Sequence, residues 1–314
     1  MRAVWRLLLR QGSIVQALTY RNSVRKSSQS IKQSGETEVK THRTPIEEEK
    51  TAFKAGDYWE SRLSQHYTLQ GVGDIGLPLS YNNWLYRVRA SAFRHVLKQL
   101  RGNPGDWSIL DVGSGTGFYI DQWTQRRPRT LAGADITATA VRNLSDRFPD
   151  AAFMQCDIGS DLPETLQPGS LDVITAYDVL FHIVETEPYA RAMRNFSDLI
   201  RPGGYLIFSD NLVNDGRNHD THQISRTEGD VRDLLRKNGF SIEKVVPMFV
   251  FMHDPVRSRS RIMRALFNRI YRLAARGEAW GRVVGAALYP VEVAGLRLLS
   301  RGPSTEIFIC RRES

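Results

Sequence analysis

The chain has 314 residues, of which 41% are hydrophobic and 25% charged, with a formal net charge of +9; this composition excludes a disordered or fibrous protein and suits a globular one. Its two cysteines, Cys156 and Cys310, lie far apart with no companions at metal-ligand spacing, so neither a disulfide framework nor a metal site is expected, and a reducing compartment fits better. Seven Arg/Lys and no acid fall in residues 1–35, and ten Arg against Glu278 and Glu292 fall in residues 257–301; residues 36–256 are therefore net acidic, the opposite of what a nucleic-acid partner requires around a site.

Residues 1–50 read as a flexible basic and polar extension with too few large apolar side chains to join a core. The apolar run at residues 7–9 is too short for a secretory signal, and the acid-free, serine-rich start is similar to a mitochondrial presequence. A cytoplasmic location is the first expectation and a mitochondrial one the alternative. Residues 51–104 are expected to form a helical cover. It comprises a helix with an aromatic face over 53–67, a glycine-rich loop through Pro78, and a helix over 81–100 with Trp84, Val88, Ala92 and Val96 on one face. Asn103-Pro104-Gly105 ends that helix.

Residues 105–255 then alternate regularly. Strands are expected at 108–112, 130–134, 151–156, 171–176, 205–208 and 240–252. Helices are expected from the glycine turn to about residue 125, and at 138–147, 188–200 and 228–238, with a turn at Arg201-Pro202-Gly203-Gly204. This order predicts an α/β fold with a doubly wound, mostly parallel sheet. Residues 256–303 interrupt it with two helices, 259–276 and 279–300, before a final strand in 304–314. The most apolar stretch, 279–299, contains Arg282, Pro290, Glu292 and Arg297, each unfavourable in hydrocarbon, so no membrane span is expected.

The central signal is Asp111-Val112-Gly113-Ser114-Gly115-Thr116-Gly117, a strand delivered into a turn of three glycines before a helix. Glycines permit both the tight turn and the close approach of a ligand to the backbone. Such turns lie at the carboxyl ends of strands, where open α/β sheets bind ligands. Phe118 stands where the dinucleotide fingerprint needs its last glycine.

With this spacing the chain resembles the class I S-adenosylmethionine-dependent methyltransferases, over about residues 105–250. The resemblance implies a seven-stranded Rossmann-like sheet and S-adenosylmethionine as cofactor. It places Asp111, Gly113, Gly115 and Gly117 by the methionine portion, Asp135 on the ribose hydroxyls, Asp157 at the adenine amino group, and Ile158 on the ring. Ile136 and Tyr177 belong to the same implied cofactor site. So does Tyr58 in the cover, where Tyr58, Trp59, Glu60, Arg62, Tyr81 and Arg87 are candidates for shielding the sulfonium or pairing with the methionine carboxylate.

After the fourth strand comes Ala176-Tyr177-Asp178-Val179-Leu180-Phe181-His182. Asp178 and His182 are four apart, so a helical turn would set them on one face, with His182 as a candidate base and Asp178 orienting it. His219, Asp220 and His222 follow the fifth strand and are candidates for the same mouth. The expected reaction is methylation of a small-molecule acceptor, hydrophobic or anionic, at the hydroxyl of a sugar, lipid or secondary metabolite. The alternatives are a non-catalytic cofactor-binding partner subunit and a protein or nucleic-acid methyltransferase. Family topology would bring the 256–303 insertion near the substrate mouth. There it would supply apolar area and arginines for the acceptor, for peripheral membrane contact, or for packing between subunits.

Overall fold

The computed structural model describes residues 53–216, 218–219 and 222–314, with the side chains of 218 and 219 excepted. The expectations for residues 1–50, for Asp220 and for the His219 side chain lie outside the described residues.

A glycine-rich loop separates the two helices of the cover, α1 (Ala55–Gln65) and α2 (Leu79–Leu97). The alternating unit follows as β1 (Ser108–Val112), α3 (Phe118–Thr124), β2 (Thr130–Asp135), α4 (Ala138–Arg147), β3 (Ala152–Gln155), β4 (Leu171–Ala176), α5 (Thr186–Leu199) and β5 (Ile200–Asp210). Three short strands come next, β6 (Leu212–Val213), β7 (Asn218–His219) and β8 (Ile224–Thr227), then α6 (Glu228–Lys237) and β9 (Phe240–Pro247). A helical hairpin of α7 (Arg261–Ala274) and α8 (Glu278–Leu298) leads to β10 (Glu306–Arg312).

The seven-stranded sheet has the order β3-β2-β1-β4-β5-β10-β9, and β10 runs antiparallel to both of its neighbours. Alternate strand residues feed two cores. Ile109, Val173, Ile207 and Ile307 face the side covered by α2 and α8. Leu110, Ile174, Leu206 and Phe308 face the side covered by α5 and α6. Because both faces are covered, β1 and β4 are buried throughout and read as unbroken apolar runs. Side-chain caps fix several helix starts: Thr137 accepts from the Ala140 N–H, Thr227 from that of Asp230 and Ser260 from that of Met263.

Three details differ from the pattern read in the sequence. Arg201-Pro202-Gly203-Gly204 lies inside β5 and not before it. Gly203 takes a φ of +76°, and a Cβ on Gly204 would meet Ile200 Cγ2 at 2.5 Å. The turn thus folds within the strand while its pairing with β4 shifts register. β9 stops at Pro247, since the N–H groups of Val250, Phe251 and Met252 donate to the buried Glu292 carboxylate of α8 at 2.6, 2.7 and 3.2 Å. The small sheet of β6, β8 and β7 has strands of two to four residues, too short to show a period.

Candidate active site

The site grows from the end of β1. Gly113, Gly115 and Gly117 have φ values of +70°, +53° and +80°. A Cβ on Gly113 would stand 2.2 Å from Val179 Cγ2, and one on Gly117 would stand 2.6 Å from Leu144 Cδ2. The turn therefore needs glycine for its backbone and for the space it leaves. Its N–H groups are anchored: Gly113 donates to Ala134 O at 2.7 Å and Gly115 to Asp135 Oδ2 at 2.8 Å. Asp135 Oδ1 accepts from the Thr137 N–H and hydroxyl at 2.9 and 2.7 Å. Burial raises the Asp135 carboxyl from its ordinary value, against these hydrogen bonds.

The turn borders a cavity of about 520 Å³, within the roughly 300–1,000 Å³ usual for small-molecule sites. The sequence candidates Gly113, Gly115, Asp135, Ile136, Asp157, Ile158, Tyr177, Asp178 and His182 all line it. Asp157 accepts from the Gly159 N–H at 2.9 Å and the Ser160 hydroxyl at 3.0 Å, which fixes its carboxylate at the end of β3. The cover closes one side through Phe53, Gly56, Trp59, Leu63 and Val72. It is pinned there by Tyr67, whose hydroxyl donates to Gly115 O at 3.0 Å, and by Glu60, which accepts from the Thr139 hydroxyl at 2.5 Å.

Other candidates lie elsewhere. Asp111 is not in the wall. It is buried in β1, accepts from Thr175 Oγ1 at 2.6 Å, and burial pushes its carboxyl up to about 7. Period-2 alternation turns it into the protein and brings Val112 to the cavity. Tyr58 is replaced in the wall by Trp59; its ring stacks on His222 at 5.3 Å and its hydroxyl accepts from Arg62 at 3.0 Å. Arg62 also donates to Gly73 O at 2.7 Å, which commits it to the cover loop. Tyr81 is buried with its hydroxyl on Met252 O, and Arg87 lies over the Trp84 ring on α2. Among the described residues, none of 256–303 lines the cavity. The hairpin instead packs on α2, where a Cβ on Gly285 would overlap Trp84 at 2.2 Å.

Asp178 and His182 are not a helical i,i+4 pair. Asp178 takes a left-handed φ of +58°, and only Leu180–His182 forms a single 3₁₀ turn. The Asp178 N–H donates to Ser209 Oγ at 2.7 Å, which holds this unfavourable conformation in place. Its carboxylate accepts from Arg89 Nε at 2.7 Å. Burial would lower the Arg89 pKa, but Asp178 beside it raises it, and its guanidinium lies over the Tyr86 and Phe249 rings. Sequence reading missed Arg89, yet it left a signal: residues 85, 89, 92 and 96 form one helix stripe, and a charge on a stripe of Leu85, Ala92 and Val96 demands a buried partner.

His182 is oriented by the backbone. Its Nδ1 lies 2.8 Å from His222 O, so the proton sits on Nδ1 and Nε2 remains the ring's acceptor. Desolvation lowers its pKa to about 4, so the imidazole is neutral at physiological pH. Trp59 meets this ring edge-on at 4.9 Å, and His222 stacks on it at 5.7 Å.

S-adenosylmethionine fits this arrangement. Gly113 and Gly115 leave the backbone open to a ligand, and Asp135 and Asp157 put acceptors at the ends of β2 and β3. The hydroxyls of Thr116 and Tyr177, both in the wall, are buried and have no hydrogen-bond partner among the described residues. Residues 110–208 match the family described as a methyltransferase domain. The chain thus carries a class I S-adenosylmethionine-dependent methyltransferase domain. It is 25% identical over 177 residues to mRNA cap guanine-N(7) methyltransferase 1 of Oryza sativa subsp. japonica, covering 51% of this chain and 46% of that protein. It is 29% identical over 106 residues to the ubiquinone biosynthesis O-methyltransferase of Albidiferax ferrireducens, covering 32% of this chain and 40% of that one. The chain therefore spans less than half the length of these curated relatives. In fold it is similar to the magnesium protoporphyrin IX methyltransferase of Synechocystis PCC 6803, with a TM-score of 0.51 at 15% identity, covering 84% of this chain and 99% of that one.

Proposed function

We propose that this protein methylates a hydroxyl group on a small, largely apolar molecule. The observation that carries the reading is the charge of the cavity wall. Among the described residues, Asp57, Asp135, Asp157, Asp178 and Glu185 line it, with Lys54 the sole lysine or arginine. Such a wall disfavours a phosphate backbone, which binds by releasing counterions to Lys and Arg. Its aromatic part, Trp59, Tyr86, Phe118, Tyr119 and Tyr177, suits a planar or lipophilic acceptor.

Bound in the cavity, S-adenosylmethionine supplies a methyl group on a cationic sulfur with a neutral leaving group. The protein's part is alignment and exclusion of water. Neutral His182 offers Nε2 as a hydrogen-bond acceptor for the attacking hydroxyl, and the Asp178 carboxylate, held by Arg89, adds a fixed negative charge. A ring with a pKa near 4 is too weakly basic to remove a hydroxyl proton completely at pH 7, so His182 orients the nucleophile more than it deprotonates it.

The test offers labelled S-adenosylmethionine together with a panel of phenolic and aliphatic alcohols, a capped RNA and bulk tRNA. Label is expected in an alcohol, with an acid limb in the rate near pH 4 and no limb from His182 between pH 6 and 8. Label in tRNA, or in the capped RNA, the substrate type named for the rice relative, would refute the small-molecule reading. Tight S-adenosylhomocysteine binding without turnover on any acceptor would favour a binding subunit.

A further inference from the structure

The α7–α8 hairpin carries apolar surface that the fold does not use. Helix α8 is apolar on two sides. Gly281, Val284, Gly285 and Leu296 are buried on one. On the other, Trp280, Val283, Val291 and Leu298 are exposed, Val283 by 60% and Leu298 by 82%. At 100° per residue this outward side also includes Ala287 and Ala294 and so forms one continuous stripe. Helix α7 repeats the pattern at one edge. Ile262 and Leu266, a turn apart, are 82% and 51% exposed, and Arg269 and Arg272 border them on the wheel. Contiguous apolar surface of this kind marks a contact surface. Among the described residues no helix is long and apolar enough to cross a membrane, so the contact is with a surface.

Charge selects the partner. Residues 257–301 hold ten arginines and two acids, and both acids are engaged by backbone N–H groups, Glu292 in the core and Glu278 at the surface. Glu278 accepts from the Leu79 and Ser80 N–H groups at the start of α2, and Glu292 accepts the three N–H groups after β9. The segment's ion pairs lie near its ends, Arg257 and Arg301 with Glu228 and Glu306, and Arg259 with Asp215. Among the described residues, Arg261, Arg269 and Arg272 have no carboxylate within ion-pairing distance. A second copy of the chain would set two arginine-rich faces against each other, whereas a layer of phosphates would neutralise them. We propose that the hairpin docks the protein on an anionic lipid bilayer. The outward side chains of α8 and the Ile262–Leu266 edge enter the headgroup boundary, and the unpaired arginines take lipid phosphates.

Flotation of the full-length chain with phosphatidylcholine vesicles, with and without phosphatidylglycerol, tests this. Binding to the anionic vesicles is expected to be at least about tenfold tighter and to weaken with salt. Val283→Asp/Leu298→Asp should lower it at least tenfold, with S-adenosylhomocysteine affinity unchanged. Arg269→Gln/Arg272→Gln, at exposed positions that cannot disturb the core, should do the same and keeps the test sound if the first variant misfolds. The proposal is overturned by equal binding to both vesicle types, or by variants that bind like the wild type, which would move the contact to a region such as the basic residues 1–35. It is also overturned by a dimer in sedimentation that Val283→Asp/Leu298→Asp dissociates.

Discussion

Around the cavity, the charged groups and the histidine are tied down one by one: Asp178 to Arg89 and Ser209, Asp135 to Gly115 and Thr137, His182 to a backbone carbonyl. On the outward side of α8 the side chains are apolar and exposed, and the Arg276 guanidinium lies 5.7 Å from the Trp280 ring. The first region needs single positions held to a fraction of an ångström, because alignment is its work. The second needs area and charge of one sign, and no single side chain there has a required geometry. Substitutions should accordingly be costly one at a time beside the cavity and cheap one at a time on the hairpin.

The largest expected effect is at Arg89. Arg89→Met leaves the largely buried Asp178 carboxylate without its partner and should cost about 3 kcal/mol in urea unfolding, near the lower end for a broken buried pair. A loss below about 1 kcal/mol would show that Ser209 and solvent suffice to hold Asp178. Next comes Gly113→Ala, which meets Val179 at 2.2 Å from a left-handed φ. It should weaken S-adenosylhomocysteine binding about a hundredfold, or about 2.7 kcal/mol, by calorimetry; unchanged affinity in a folded sample would remove the glycine turn from the cofactor site.

Asp111 sharpens the comparison through pH. Its folded pKa, raised to about 7 by burial, exceeds the ordinary aspartate value of 3.8. The folded state therefore holds this proton more tightly, and the stability it brings is present at low pH and lost as pH rises toward 7. Against wild type, Asp111→Asn should gain stability from pH 5 to pH 7, with a slope of at most about 1.4 kcal/mol per pH unit, then level off. Parallel melting-temperature curves for the two proteins would contradict this. The smallest effect belongs to the hairpin: Val283→Ser should change unfolding free energy by less than about 0.5 kcal/mol. A larger loss would mean that the outward stripe is covered in solution, and the contrast between the regions would fail.

How much of this was legible in the sequence follows the same division. The strands β1 and β4 and helix α4 were readable to the residue, because a parallel sheet covered on both faces writes itself as apolar runs between helical periods. The glycine turn, the aspartate ending β2 and the one following β3 were readable as spacing. Asp111 was misplaced because spacing does not say which way a strand residue faces, and Asp178 because a left-handed residue breaks the helical wheel assumed for it. Arg89 pairs with a residue 89 positions away, and local pattern does not carry such a distance. The hairpin's helices were evident, but their packing on α2 and not at the cavity depends on Gly281 and Gly285, where missing side chains make the contact.

The place of β10 bears on how the chain is assembled. Glu306–Arg312 is the last strand in sequence, yet it pairs with β5 on one edge and β9 on the other. Until it arrives, both partners present an open backbone edge, and among the described residues β9 has no other neighbour in the large sheet. When β1 to β9 have left the ribosome, the five strands from β3 to β5 can pair, while β9 lacks its neighbour and a gap one strand wide separates it from β5. Closure joins residues about a hundred positions apart and must be slow beside helix formation. During synthesis, that gap is where another chain's strand would compete for the same edges, and a chaperone acting on this protein has most to protect there.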